Sequence, residues 1–140
     1  MKRLLIGIGN PDRGDDAAGW EVAGLVTSWD VSRLTAGSLS LIDLWQDDDD
    51  VVIVDAMKSG APVGTVVRID AIAQGLPRGA FSSTHAFGPA AVVELARTMG
   101  RLPRSLMVYG IEAAHMEHGA AMSREVVASV SAVARELQDA

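Results

Sequence analysis

Four short runs of this chain, Arg3–Gly9, Val51–Asp55, Gly64–Ile69 and Ser105–Ile111, are apolar almost from end to end. A strand with one wet face alternates polar and apolar side chains. A run such as Val51-Val52-Ile53-Val54 instead offers apolar groups to both faces and needs cover on each. Leu34–Leu39 is a weaker candidate for a further strand. Three other segments carry helical spacing. The first sets Ala18, Val22, Leu25, Val26 and Trp29 on one stripe. The second begins at Pro89, carries Val92, Val93, Ala96 and Met99 on one face, and stops at Gly100. The third opens after Ser123 as N-cap, with Val126, Val130, Val133, Ala134 and Leu137 turned inward. Strands that alternate with helices imply right-handed crossovers, hence an α/β fold with a doubly wound, mostly parallel sheet. The Lys58-Ser59-Gly60-Ala61-Pro62 link is too short for a crossover helix, so the Gly64–Ile69 strand is expected to be antiparallel.

The chain has 140 residues, which suits one domain spanning residues 1–140. Hydrophobic residues make up 49% and charged residues 21%, a globular balance, not a disordered one. No apolar run reaches the roughly 18 residues of a membrane span, so no membrane role is expected. The opening Met1-Lys2-Arg3-Leu4-Leu5-Ile6-Gly7 has a faint look of a leader, but glycines and Asn10 interrupt it, and a buried first strand explains it better. A formal net charge of −6, with 12 unclustered Lys and Arg, disfavours nucleic acid as a partner. There is no cysteine, which removes disulfides, thiolate metal sites and cysteine nucleophiles, and fits a reducing cytoplasm. Any metal must be met by Asp, Glu or His.

Ligands of such sheets bind beyond the carboxyl ends of the strands, and three places fall on that rim. The first is the loop Gly7-Ile8-Gly9-Asn10-Pro11-Asp12-Arg13-Gly14-Asp15-Asp16. One of the paired aspartates suffices to cap the first helix, which leaves the other, Asp16, to face the rim. The second is Asp55, a carboxylate ending an apolar strand; it either caps a neighbouring loop or binds something. The third is His85, in Ser82-Ser83-Thr84-His85-Ala86-Phe87-Gly88, just before the second helix. A lone histidine is more often structural, but two carboxylates and an imidazole form an O, O, N set suited to nickel, zinc or manganese. Three donors leave coordination positions open, as metal chemistry or capture of an already ligated metal requires. No serine sits in a recognisable triad. Asp47–Asp50 is expected to be a solvated connection, and His115 and His118 a solvated loop.

These residues resemble a known family. Gly7-x-Gly9-Asn10 followed by Gly14-Asp15-Asp16-Ala17-Ala18-Gly19 is similar to the opening signature of the hydrogenase maturation proteases, peptidase family M52. Val52-Ile53-Val54-Asp55-Ala56 with Gly60, Pro62 and Gly64-Thr65-Val66 resembles the second block, and Thr84-His85 with Gly88 the third. Gly110-Ile111-Glu112, Glu117, Gly119 and Ser123 resemble the fourth. The resemblance implies a three-layer α/β/α domain around a five-stranded sheet, of phosphorylase/hydrolase-like type. It implies an endopeptidase that removes the C-terminal extension of a NiFe hydrogenase large-subunit precursor once nickel is in place. The nickel comes with the substrate, and the metal-contacting and catalytic positions fall on Asp16, Asp55 and His85. A monomer acting in the cytoplasm is expected. The chain departs from the family pattern at Asp16, where some members carry Glu, at Ala113, where proline is common, and at Ala120-Ala121, where Glu-Gly is common.

Two rival readings use the same residues. A nickel-site binding or chaperone protein would keep the fold and metal contacts without cutting. Leu5-Ile6-Gly7-Ile8-Gly9-Asn10-Pro11 also resembles peptidyl-tRNA hydrolase, but that enzyme needs a histidine roughly ten residues later, where Trp20 stands, and a basic groove. A dinucleotide fingerprint lacks its third glycine, since position 12 is Asp12.

Overall fold

The computed structural model describes residues 2–35, 39–77 and 89–140. Among these, one sheet holds β1 (Arg3–Ile8), β2 (Asp30–Leu34), β3 (Asp50–Met57), β4 (Val66–Asp70) and β5 (Ser105–Glu112), in the order β2-β1-β3-β5-β4. The first four strands in that order run parallel, and β4 lies antiparallel on β5. Side chains alternate across the sheet. Leu4, Ile6, Ile8, Val51, Ile53, Met57, Leu106 and Val108 face a layer made by α2 (Pro89–Thr98) and the 3-10 helix Leu39–Leu44. Leu5, Val52, Val54, Ala56, Tyr109 and Ile111 face α1 (Ala18–Leu25) and α3 (Arg124–Asp139). Both faces are therefore covered, which is why β1, β3 and β5 read as unbroken apolar runs.

The expected antiparallel strand is present, but its neighbour is β5 and not β3. The eight residues between Met57 and Val66 pass over the carboxyl end of β5, with Gly64 N–H donating to the Glu112 carbonyl and Glu112 N–H to the Thr65 carbonyl (2.9 and 2.8 Å). The weak Leu34–Leu39 strand is corrected: the strand is Asp30–Leu34, and Leu39 already opens a 3-10 helix. As a sheet edge, β2 has little to bury, so its polar sequence hid it.

The first helix is also shorter than its apolar stripe. It ends at Leu25, which is 55% exposed, and Val26 is extended (φ −93°, ψ 127°). Val26 and Trp29 still reach the core side from non-helical chain, and the Trp29 indole N–H donates to the Leu137 carbonyl at 2.8 Å. Helix α1 lies backbone to backbone on the sheet. A Cβ on Gly7 would sit 2.2 Å from the Gly19 carbonyl oxygen, and one on Gly19 would sit 2.1 Å from that of Val54. Helix α2 buries Val92, Val93 and Ala96 as expected, while Met99 is exposed. The chain leaves α2 through Gly100 (φ +68°), with Arg101 N–H donating to Ala96 and Gly100 N–H to Arg97, a Schellman ending. Helix α3 buries all five predicted positions. Among the described residues no helix is long and apolar enough to cross a membrane.

Candidate functional site

Three loops meet at the carboxyl ends of β1, β3 and β5: residues 9–17, 58–65 and 113–123. The first arrives at the rim because Gly9 lets the chain touch itself. A Cβ there would lie 2.1 Å from the Asp16 carbonyl oxygen. Gly14, in the left-handed region at φ +53°, lies as close to the His115 carbonyl oxygen, 2.3 Å from where its Cβ would be. From Gly14 the chain forms one 3-10 turn, Gly14–Ala17, that is buried throughout.

The paired aspartates of that turn differ in environment. Asp15 is fully buried and accepts four hydrogen bonds. Its Oδ2 takes the N–H groups of Ala114 (2.8 Å) and His115 (3.0 Å) and the Ser123 hydroxyl (2.6 Å); its Oδ1 takes the Ser123 N–H (2.6 Å). Burial alone would raise its carboxyl, but the Ser123 hydroxyl and the backbone donors together hold it below the usual carboxylate range. Neither aspartate caps the helix it precedes, which corrects the capping expectation. Ser123 does stand at the N-cap of α3, yet its side chain makes no cap bond and serves Asp15 instead. An N-cap hydroxyl is commonly worth about 1 kcal/mol to its helix, so this diversion is a real cost to α3. Asp16 is 8% exposed and comes to the strand ends from the segment leading into α1.

Asp55 is fully buried near the end of β3, paired in register with Gly110 of β5. By alternation it shares a face with Ile53 and Met57, the face covered by α2. Val54 pairs with Gly7, and the Asp16 backbone lies against Gly9 just past the end of β1, so the turn bearing Asp16 and the end of β3 bearing Asp55 come to the same rim. His85 lies outside the described residues, as do the rest of Ser82–Gly88. Among the described residues no three His, Asp or Glu side chains are gathered as a metal site.

Other groups at the rim make contacts that the sequence did not indicate. Glu112, buried at the end of β5, accepts the Ser59 hydroxyl at 2.6 Å and the Ser59 N–H at 3.0 Å, pinning the turn that follows β3. Lys58 Nζ donates to the Ala114 carbonyl, Arg13 Nε to Met116, and Gly119 N–H to Asp12. Segment 112–123 therefore bridges the loop bearing Asp16 and the turn after Asp55. A recess of about 690 Å³ opens beside it, lined by Val63, Ala114, His115, Ser123, Arg124 and Glu125. His115 and His118 are exposed, as a solvated loop requires. Asp47 and Asp48 are exposed too, but Asp50, half-buried, opens β3 and holds Ser105 and Arg104, and Asp49 is a further correction. It is buried and accepts the N–H groups of Gln46 and Lys2 (2.8 and 3.0 Å) at the opposite end of the sheet.

Comparison with known proteins agrees with this architecture. A family model described as HycI, hydrogenase maturation protease, matches residues 28–140, a stretch that holds Asp55 and His85 and begins after Asp16. The NiFe hydrogenase maturation protease HybD from Thermococcus kodakarensis superposes with a TM-score of 0.75 at 21% identity, over 99% of this chain and 98% of that one. The NiFe hydrogenase maturation protease HycI from Thermococcus kodakarensis KOD1 gives 0.70 at 25% identity, over 99% and 90%. The endopeptidase HycI from Escherichia coli gives 0.76 at 21% identity, also over 99% and 90%. No curated protein sequence matches.

Proposed function

Because the chain belongs to the hydrogenase maturation protease family, we propose that it is an endopeptidase that removes the C-terminal extension of a nickel-loaded NiFe hydrogenase large-subunit precursor. Asp16, Asp55 and His85 read the nickel, which is part of the substrate. The observation that carries this reading is a pair of acidic residues on neighbouring parts of one rim, Asp55 near the end of β3 and Asp16 in the turn that folds back on Gly9 just past β1, both almost wholly withdrawn from water. Exposed carboxylates would bind counter-ions and water indiscriminately. Withdrawn ones sit in a lower dielectric, where a positive charge brought to them is attracted more strongly than at the surface. An O, O, N donor set matches a borderline divalent ion and leaves room for the ligands that the precursor already supplies. Metal coordination polarises a nearby carbonyl or lowers the pKa of a bound water. Hydrolysis then adds water across the scissile C–N bond, leaving a carboxylate on the large subunit and an amine on the released peptide. The protein acts as a monomer in the cytoplasm, where the precursor is made.

Incubation with nickel-loaded and nickel-free precursor tests the reading. Loss of the C-terminal peptide only from the loaded form is expected. Equal cutting of both removes the metal checkpoint, and cutting of neither favours a protein that binds the nickel site without cleaving. Asp16→Ala, Asp55→Ala and His85→Ala are each expected to lower processing at least about a hundredfold while circular dichroism stays unchanged. Full activity in any one of them removes that residue from the site.

A further inference from the structure

We propose that Asp15 and Ser123 form a positioning pair for Asp16, setting where that carboxylate meets the nickel of a bound precursor. This rests on the reading of Asp16 given above. The Gly14–Ala17 turn is four residues long and cannot fix its own place. Its local bonds are few: Asp16 N–H to Arg13 and the Ala18 N–H to Asp15. What holds it is tertiary. On one side the Asp16 backbone lies against Gly9 at the end of β1, and on the other Gly14 lies against the His115 carbonyl. Asp15 N–H donates to that same carbonyl at 2.7 Å. The Asp15 carboxylate then gathers Ala114, His115 and Ser123, residues about a hundred positions away in the chain.

Asp15 and Asp16 are consecutive, so any shift of one carries the other. A tie serving only to cover the core could be made by apolar contacts, or by a serine that also capped α3. Here the hydroxyl is spent wholly on Asp15. The donors also close on both carboxylate oxygens, which fixes the direction of the side chain as well as its depth. Charge-assisted bonds of this kind set geometry at the tenths-of-ångström level on which metal coordination depends.

The test uses the full chain and measures its affinity for nickel-loaded and nickel-free precursor, so that cleavage is not needed as a readout. Ser123→Ala removes one bond to Asp15 and no helix cap. It is expected to keep the wild-type melting temperature to within a few degrees, to bind nickel-free precursor as wild type does, and to bind the loaded form about five- to tenfold more weakly. Ser123→Thr, which restores the hydroxyl, should return the loaded-form affinity to within about twofold of wild type. Should Ser123→Ala fail to fold, Asp15→Asn is judged by the same ratio; loss of fold in both overturns the proposal in favour of a purely structural tie. Asp16→Ala separates the two levels. If it abolishes the preference for loaded precursor while Ser123→Ala leaves it intact, the positioning role is wrong and the reading of Asp16 stands. If Asp16→Ala keeps the preference, that reading fails and the positioning role falls with it.

Discussion

Asp15 and Asp16 show how much two identical neighbours can differ. The carboxylate of Asp15 is satisfied inside the protein by four donors, so its removal leaves three part-buried backbone N–H groups without their acceptor. Each unsatisfied buried donor costs about 1–3 kcal/mol. Asp15→Ala should therefore lower the free energy of unfolding by about 3 kcal/mol or more, read by urea denaturation. A change below about 1 kcal/mol would mean that the four bonds contribute little. In sequence the pair was legible as an acidic helix start, and Asp55 as a carboxylate ending an apolar run. The division of labour between Asp15 and Asp16 was not. It depends on Ser123, which reads as an ordinary N-cap and sits 108 residues away. The partnership of Glu112 with Ser59 was equally hidden: Glu112 stood out as part of a family-like block, but nothing at a strand end announces a partner after the neighbouring strand.

Helix α1 is held to the sheet by glycine where larger helices use side chains. Gly7 and Gly19 remove the atoms that would otherwise separate the two backbones, and only then can Ala18 and Val22 reach the core. Gly19→Ala would place a methyl 2.1 Å from the Val54 oxygen and 2.5 Å from that of Ile8, both backbone atoms with no rotamer to yield. Overpacking against fixed atoms costs about 1–3 kcal/mol and sometimes more, so a loss of about 3 kcal/mol is expected in urea unfolding. Wild-type stability for this variant would mean that α1 can slide outward without penalty. Sequence reading went furthest on elements that bury apolar stripes. It found β1, β3, β5, α2 and α3 because each exposes its period or its unbroken apolar content. It missed β2, whose largely exposed Asp30-Val31-Ser32-Arg33 sequence lies at the sheet edge, and it ran α1 too long because Val26 and Trp29 imitate a helical stripe from non-helical chain.

At the scale of the whole molecule, acid is the condition that tests the fold most broadly. Among the described residues, four carboxylates are held below their ordinary range. Asp15 is held so by its donors against the opposing effect of burial, and Asp49 chiefly by the Gln46 N–H. Asp50 owes its shift to the Ser105 hydroxyl and then Arg104, and Glu136 to Arg68 and Tyr109. A carboxyl whose folded pKa is depressed adds stability that is complete above its unfolded pKa, about 4. That stability is lost as pH falls through the folded value. The melting temperature should therefore be level from neutral pH down to about 5 and fall below about 4. Glu136→Gln, which removes one of the four, should make the fall shallower. A melting temperature unchanged between about pH 5 and 3 would contradict this assignment of the carboxylates.

The position of β5 between β3 and β4 also orders events in time. A chain still being synthesised has made β3 and β4 well before residues 105–112 leave the ribosome. Until then β4 has no neighbour, and the outer edge of β3 is open to pairing with other chains. The last strand to be made closes both gaps at once. Unfinished chains of this protein are therefore more exposed to edge-to-edge association than finished ones, and β5 completes the sheet in a single step, before the last loop of the rim is made.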